Sequence, residues 1–150
     1  MHPVIAKLKK NNINKIKLGI FDVDGVMRGK YINMSKLASA LENGFGFCDV
    51  VFGWDIIDEL YDKPSVTGWD TGYPDAPARI DEKSFRIIPW EPETALFIAD
   101  FMYSDGTPYP ACPRQLCKTI VQKAANMGYE VKSAFEYEFF LFNENPHSIR

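Results

Sequence analysis

The sequence predicts an α+β fold in which a small mixed sheet grasps a helix. Three observations lead there. Residues 16–23 (IKLGIFDV) and 26–34 (VMRGKYINM) both read as strands and are separated only by Asp24-Gly25, a turn pair that makes them a hairpin. A helical pattern at 36–42 follows the hairpin, and further strand-like runs follow the helix. The chain has 150 residues, 46% of them hydrophobic and 25% charged, which is enough for one domain with a real core.

Residues 3–10 open the chain as a short amphipathic helix, with Val4, Ile5 and Leu8 at helical spacing and Asn11 and Asn12 ending it. After the hairpin, Ser35 is placed to cap the helix over 36–42, Leu37, Ala38 and Leu41 face inward, and Gly44 stops it. Residues 45–52 (FGFCDVVF) are a third apolar strand. Regular pattern is then lost over 53–79, where Gly53, Pro64, Gly68, Gly72, Pro74 and Pro77 recur among acidic and aromatic residues, with one helical turn around 56–61. A loop that long in a compact domain is functional or mobile. Residues 85–88 and 95–102 alternate as strands around the tight 89–92 segment. Pro113 starts a helix after a Gly/Pro loop at 104–110, since proline suits the first helical position. Leu116, Ile120, Val121, Ala124 and Met127 are its expected buried stripe, and Gly128 ends it.

The last strand candidate, 130–142, contains the aromatic run AFEYEFFLF. Side chains alternate along a strand, so Glu136 and Glu138 share a face, with Cα atoms about 6.5–7 Å apart. Like charges so close among phenyl rings repel and resist desolvation, and a metal ion or cationic ligand is the usual offset. A simply wet strand face is the plainer explanation, although Phe140 and Phe142 continue that face and make it less polar. The helix and strand at the end of the chain look like the start of another unit rather than the finish of this one.

Composition narrows the function classes. Net charge is −3, with no basic block, so nucleic acid is not an expected partner. The lysines at 7, 9, 10, 15 and 17 are interrupted by asparagines and read as a solvated helix face. Three cysteines, Cys48, Cys112 and Cys117, lack C-x-x-C spacing, so neither a disulfide framework nor a zinc site is indicated. That usage suits a reducing cytoplasm. No run of about 18 apolar residues marks a membrane span, and no signal peptide is evident.

Two family resemblances compete for the motifs. Residues 20–26 (IFDVDGV) resemble the nucleophile motif of haloacid-dehalogenase-type phosphatases, in which Asp22 would attack phosphorus and Asp24 would act as acid/base with Mg²⁺. That fold needs parallel strands alternating with helices, whereas here the next strand follows a two-residue turn. The second resemblance is broader. EYEFFLF resembles the E-x-E-F-F-L-F strand of the glutamine synthetase family. Residues 22–32 (DVDGVMRGKYI) resemble that family's D-x-x-G-x-x-R-x-K hairpin, and 90–100 (WEPETALFIAD) resemble its strand pair before the domain junction. Residues 105–116 (DGTPYPACPRQL) resemble its loop and P-R-x-x-L helix start, and Tyr73-Pro74-Asp75 the Asp in its central loop.

This resemblance implies a β-grasp-like domain over 1–103, and over 104–150 a linker and the first helix and strand of a truncated catalytic domain. It implies an ATP-dependent ligase that activates glutamate as γ-glutamyl phosphate and captures it with ammonia or an amine. The ligase would form a homo-oligomeric ring in which one subunit's acidic loop reaches the next subunit's site. Glu136 and Glu138 would be ligands to Mg²⁺ or Mn²⁺, and the chain alone would be inactive. Ammonia-using members carry F-D-G-S-S in the central loop. This chain has Phe52-Gly53-Trp54-Asp55 and Gly68-Trp69-Asp70 instead, and its Gly72–Asp75 run looks more like the γ-glutamylpolyamine synthetase branch. That favours a larger amine, with Asp55, Asp70 and Asp75 as the acids to contact it; solvated loop acids are the plainer reading of each. The non-enzymatic alternative is a stand-alone β-grasp interaction module.

Overall fold

A computed structural model describes residues 2–63 and 65–149; Met1, Arg150 and the loop proline Pro64 lie outside the described residues. Helix α1 (Pro3–Lys10) has Pro3 in its first turn, and the His2 ring accepts a hydrogen bond from the Val4 N–H. Strands β1 (Lys15–Phe21) and β2 (Met27–Ile32) form the expected antiparallel hairpin. Gly25 takes a φ of 79° in the turn, a conformation open to glycine without steric cost. Helix α2 (Met34–Asn43) begins two residues earlier than expected. Its cap is the Asn33 side chain, which accepts from the Lys36 N–H at 2.9 Å, while Ser35 donates to that same oxygen.

Strand β3 (Phe45–Cys48) is half the predicted length, because Asp49–Phe52 tightens into a 3-10 turn. The loop then ends early. Strand β4 (Asp75–Ile87) absorbs 75–79 and the predicted strand at 85–88 into one bulged strand, with the register shift between Asp81 and Arg86. Strand β5 (Thr94–Phe101) lies at the centre. The sheet order is β2-β1-β5-β4-β3; β1 and β5 run parallel and every other pair is antiparallel. This is an α+β fold with a mixed sheet and helices, as the sequence predicts.

The period of a strand puts Ile16, Leu18 and Ile20 of β1 and Ala95, Phe97, Ala99 and Phe101 of β5 on one face. One end of that face is covered by α1 and α2 through Val4, Ile5, Leu8 and Leu37. The other end is covered by Val51 and Phe52 of the 3-10 turn and by Cys112. There Phe52 meets Phe101 edge-on at 4.8 Å and stacks on Tyr109 at 5.4 Å. The opposite face carries Ile98 and Asp100, and helix α3 (Pro113–Asn126) docks there.

Three expectations need correction. No helical turn forms at 56–61; Trp54 and Leu60 bridge as a short antiparallel pair instead. The apolar stripe of α3 is not buried. Leu116 is 61% exposed and Ile120 55%, and Gln115 is the helix's one buried residue. The helix is held by its charged residues, as described below, so its apolar stripe turns away from the sheet. The segment 130–142 is not a strand: it has no regular structure and its aromatics lie in solvent. A strand needs a neighbour for its N–H and C=O groups, and none of the sheet's strands pairs with it.

Candidate functional site

The turn of the β1–β2 hairpin is built around Asp22, which is fully buried. Its Oδ1 accepts the N–H groups of Asp24 at 3.0 Å and Val26 at 2.8 Å, the self-bonding pattern that makes Asp a turn former. Its Oδ2 accepts from Arg28 Nε at 2.7 Å. Both oxygens of Asp22 are therefore engaged, and the chain continues into an antiparallel strand. No crossover helix follows Asp22; β2 returns antiparallel directly after the turn.

Arg28 reaches beyond the hairpin to the central loop. Its Nη1 donates to Asp58 Oδ1 at 2.6 Å, its Nη2 to the Asp55 carbonyl at 3.1 Å, and its guanidinium lies 5.0 Å from the Trp54 ring centre. Within the loop, Asp55 Oδ1 accepts from the N–H groups of Ile57 at 2.9 Å and Glu59 at 3.0 Å, and the Tyr61 N–H closes the turn on the Gly53 carbonyl at 2.8 Å. Partial burial pushes the Tyr61 hydroxyl above its ordinary range, and the nearby carboxylates of Asp24, Asp55 and Asp22 push it the same way. Asp55 thus sits in a shared acidic neighbourhood, half-buried, with its backbone and one carboxylate oxygen fixed.

Asp70 and Asp75 sit elsewhere in the loop. Asp70 is exposed in a turn at 68–72 in which the N–H groups of Thr71 and Gly72 both donate to the Gly68 carbonyl. Asp75 begins β4 opposite Cys48 and packs over Gly46, where an added Cβ would lie 2.5 Å from its Oδ2. The base of this part of the loop is Asp49. Its carboxylate is buried and accepts from Thr67 Oγ1 at 2.6 Å, and its N–H donates to the Pro74 carbonyl at 3.0 Å. Partial burial pushes the Tyr109 hydroxyl up, and the Asp49 charge pushes it the same way. Glu136 and Glu138 are exposed on the irregular segment after α3. Their carboxylates have the hard oxygen chemistry that suits Mg²⁺ or Mn²⁺. Among the described residues no group of three or more His, Cys, Asp or Glu side chains is placed to hold a metal ion.

At the start of α3 a second ion network closes the reverse face of the sheet. Arg114 donates from Nη1 to Asp100 at 2.6 Å and from Nη2 to Asp81 at 2.7 Å. Lys118 reaches the same two acids, at 2.5 Å and 3.1 Å. Burial alone would push the Asp81 carboxyl up; the hydrogen bonds from Arg114 and Lys118 outweigh it and hold the group below its ordinary value.

Sequence reasoning missed Asp49, Asp58, Arg28 and this α3 network as organising groups. Asp49 had a signal, as the lone acid inside the apolar run FGFCDVVF. Arg28 stood in the hairpin pattern without an assigned partner; Asp22 is six residues away, but its two loop partners lie 27 and 30 residues away.

The fold, a five-stranded mixed sheet with helices, is shared with solved structures. The chain superposes on the structure titled GmaS/ADP complex with a TM-score of 0.65 at 24% identity, over 85% of this chain and 26% of that one. Residues 110–149 match the family model described as glutamine synthetase, catalytic domain. The chain is 39% identical to type-1 glutamine synthetase 2 of Dictyostelium discoideum, over 97% of its own length and 28% of the relative. It is 38% identical to glutamate–isopropylamine ligase of a Pseudomonas species, over 95% and 31%. It is 30% identical to γ-glutamylethanolamide synthetase of Streptomyces coelicolor, over 96% and 31%. The chain is similar to members of the glutamine synthetase family over nearly its whole length, and it spans about three-tenths of the length of the curated relatives it matches.

Proposed function

We propose that these residues serve an ATP-dependent glutamate–amine ligase, with 1–103 as its β-grasp domain and 104–150 as the linker and opening of its catalytic domain. The observation that carries this reading is the near-complete alignment of the chain to glutamate–isopropylamine ligase at 38% identity. The relative named for ethanolamide synthesis supports the same preference for an amine larger than ammonia, as does the absence of F-D-G-S-S from the loop. A polyamine is the nucleophile we favour. In this reading the loop at 53–74 meets a neighbouring subunit of a cytoplasmic ring, and Asp55, with Asp70 and Asp75 from farther along the chain, accepts N–H groups of the incoming amine. A carboxylate so placed orients the amine and takes up its proton as the carbon–nitrogen bond forms.

Glu136 and Glu138 would hold Mg²⁺ or Mn²⁺, which when bound neutralises phosphate charge. Mg²⁺ fills six positions and borrows ligands from water and substrate phosphates, so two glutamates on a free segment form a weak site. The 150-residue chain by itself therefore neither hydrolyses ATP nor forms γ-glutamyl products. The test compares it with the same residues continued into the remainder of a glutamine synthetase catalytic domain. Each is given ATP and glutamate with ammonia, isopropylamine, ethanolamine or putrescine in turn, and phosphate and γ-glutamyl product are measured. The longer chain is expected to turn over with the larger amines and to lose at least about a hundredfold in rate in Glu136→Gln or Glu138→Gln. Product formation by the short chain, or a normal rate in Glu138→Gln, overturns the reading.

A further inference from the structure

The loop that carries Asp55 is not held by apolar packing. Ile56 and Ile57 are mostly exposed, and Leu60 and Tyr61 are only partly covered. A loop with so little buried surface opens locally at low free energy unless specific contacts hold it. Here those contacts converge on one side chain. Arg28 uses Nε on Asp22, Nη1 on Asp58, Nη2 on the Asp55 carbonyl and its flat face on Trp54. Asp22 anchors it from below, being fully buried and accepting two backbone N–H groups as well. Asp58 is held at a φ of 67°, in the left-handed region that a non-glycine residue keeps only where its surroundings fix it.

The consequence falls on Asp55. Its Oδ1 is occupied by the N–H groups of Ile57 and Glu59, while among the described residues no donor reaches its Oδ2. The direction in which that free oxygen is presented is set by a backbone that Arg28 grips at the Asp55 carbonyl and, three residues on, at the Asp58 carboxylate. We propose that Asp22 and Arg28 are positioning residues of the amine subsite, acting through Asp58 and the Asp55 backbone to fix where Asp55 Oδ2 meets the substrate amine. The inference rests on the ligase reading above. It explains why the position carries an arginine: a planar fork serves three acceptors in three directions, which an ammonium on a flexible stem does not. A misplacement of about 1 Å at such an acceptor is enough to cost large factors in rate.

The experiment has two arms. In the first, amide hydrogen exchange is followed in the 150-residue chain for Ile57, Asp58, Glu59 and Tyr61, with β1 and β5 amides as the internal control. Arg28→Lys and Asp58→Asn are expected to raise exchange of the loop amides about tenfold and to leave the β1 and β5 amides unchanged. Because Arg28→Lys leaves a buried Asp22 with a poorer partner, it can loosen the whole sheet. Asp58→Asn removes only the exposed side of the clamp, and its result decides if the β1 and β5 amides move in Arg28→Lys. In the second arm, Asp58→Asn in the chain continued into the catalytic domain is expected to raise KM for the amine about tenfold and to lower kcat, while KM for ATP holds. Loop exchange that stays at the unsubstituted rate overturns the clamp. Faster loop exchange with an unchanged amine KM overturns its role in the amine subsite. Failure of the ligase reading is seen separately, as the absence of amine-dependent product from the unsubstituted longer chain, and leaves the exchange result standing.

Discussion

Lys15–Phe21 and residues 134–142 are of similar length and both rich in apolar side chains, but they have different neighbours. The first lies between β2 and β5, and every second side chain is buried against α1, α2 or the far end of the core. The second has no strand on either side, and Phe135 and Leu141 are close to 90% exposed. By composition the second is the more emphatic strand. The difference teaches that a strand is a relation between segments: the apolar residues supply the incentive to be buried, while the hydrogen-bonding partner decides whether the backbone can afford it.

The sharpest way to break that comparison is a truncation within each region. Phe97 lies at the centre of β5, fully buried, with its ring 5.4 Å from that of Phe85. Phe97→Ala removes a large aromatic from a packed site and is expected to lower stability by about 3–5 kcal/mol, read as a shift of the urea midpoint. A loss below about 1 kcal/mol would mean that the sheet does not depend on this core.

Helix α3 stands between the two regions, and its expected effect is intermediate. Its apolar stripe is exposed and its attachment is ionic, so the bonds of Arg114 and Lys118 to Asp81 and Asp100 matter more than hydrophobic area. Arg114→Met leaves Asp100 buried with Lys118 as its one charged partner and is expected to cost about 2–3 kcal/mol of helix docking. Loss of α3 amide protection without loss of β1 and β5 protection is the signature.

Acid tests the same contact. The Asp81 carboxyl is held below its ordinary value in the folded chain, so its contribution is complete above the unfolded pKa, near 4, and is lost as pH falls through the lower folded value. Protection of α3 is therefore expected to fall below about pH 4 before the sheet unfolds. Protection that rises as the pH drops would show that the network is not what docks the helix.

Much of the fold was legible because its signals are local. The Asp24-Gly25 turn pair, the Val4–Ile5–Leu8 spacing and Pro113 at a helix start each determine their own neighbourhood, and each is found as expected. The errors lie where the answer depends on distant residues. The 56–61 turn follows Arg28, which is nearly thirty residues away, and the face α3 presents follows Asp81 and Asp100 on strands that precede it. The acids of the site were legible as residues but not as a set. Asp55 was identified from the loop, while the guanidinium that aims it was left without a role and Asp49 was read as part of a strand.

The smallest expected effect completes the comparison. If 134–142 lacks only a partner, its side chains contribute nothing to the stability of the chain as it stands. Phe139→Ser is expected to change the urea midpoint by no more than the equivalent of about 0.5 kcal/mol, where Phe97→Ala changes it severalfold more. The amides of 134–142 are expected to exchange at rates near those of an open chain, because no sheet hydrogen bond slows them. Exposed aromatics at this density also favour association between chains, so Phe139→Ser is expected to reduce self-association in sedimentation experiments at high concentration. In the chain continued into the catalytic domain, the same amides are expected to become as protected as those of β1, and Phe139→Ser is then expected to be destabilising. Slow exchange of 134–142 in the 150-residue chain would mean that the segment has already found a partner, and that the contrast with Lys15–Phe21 lies in sequence rather than in pairing.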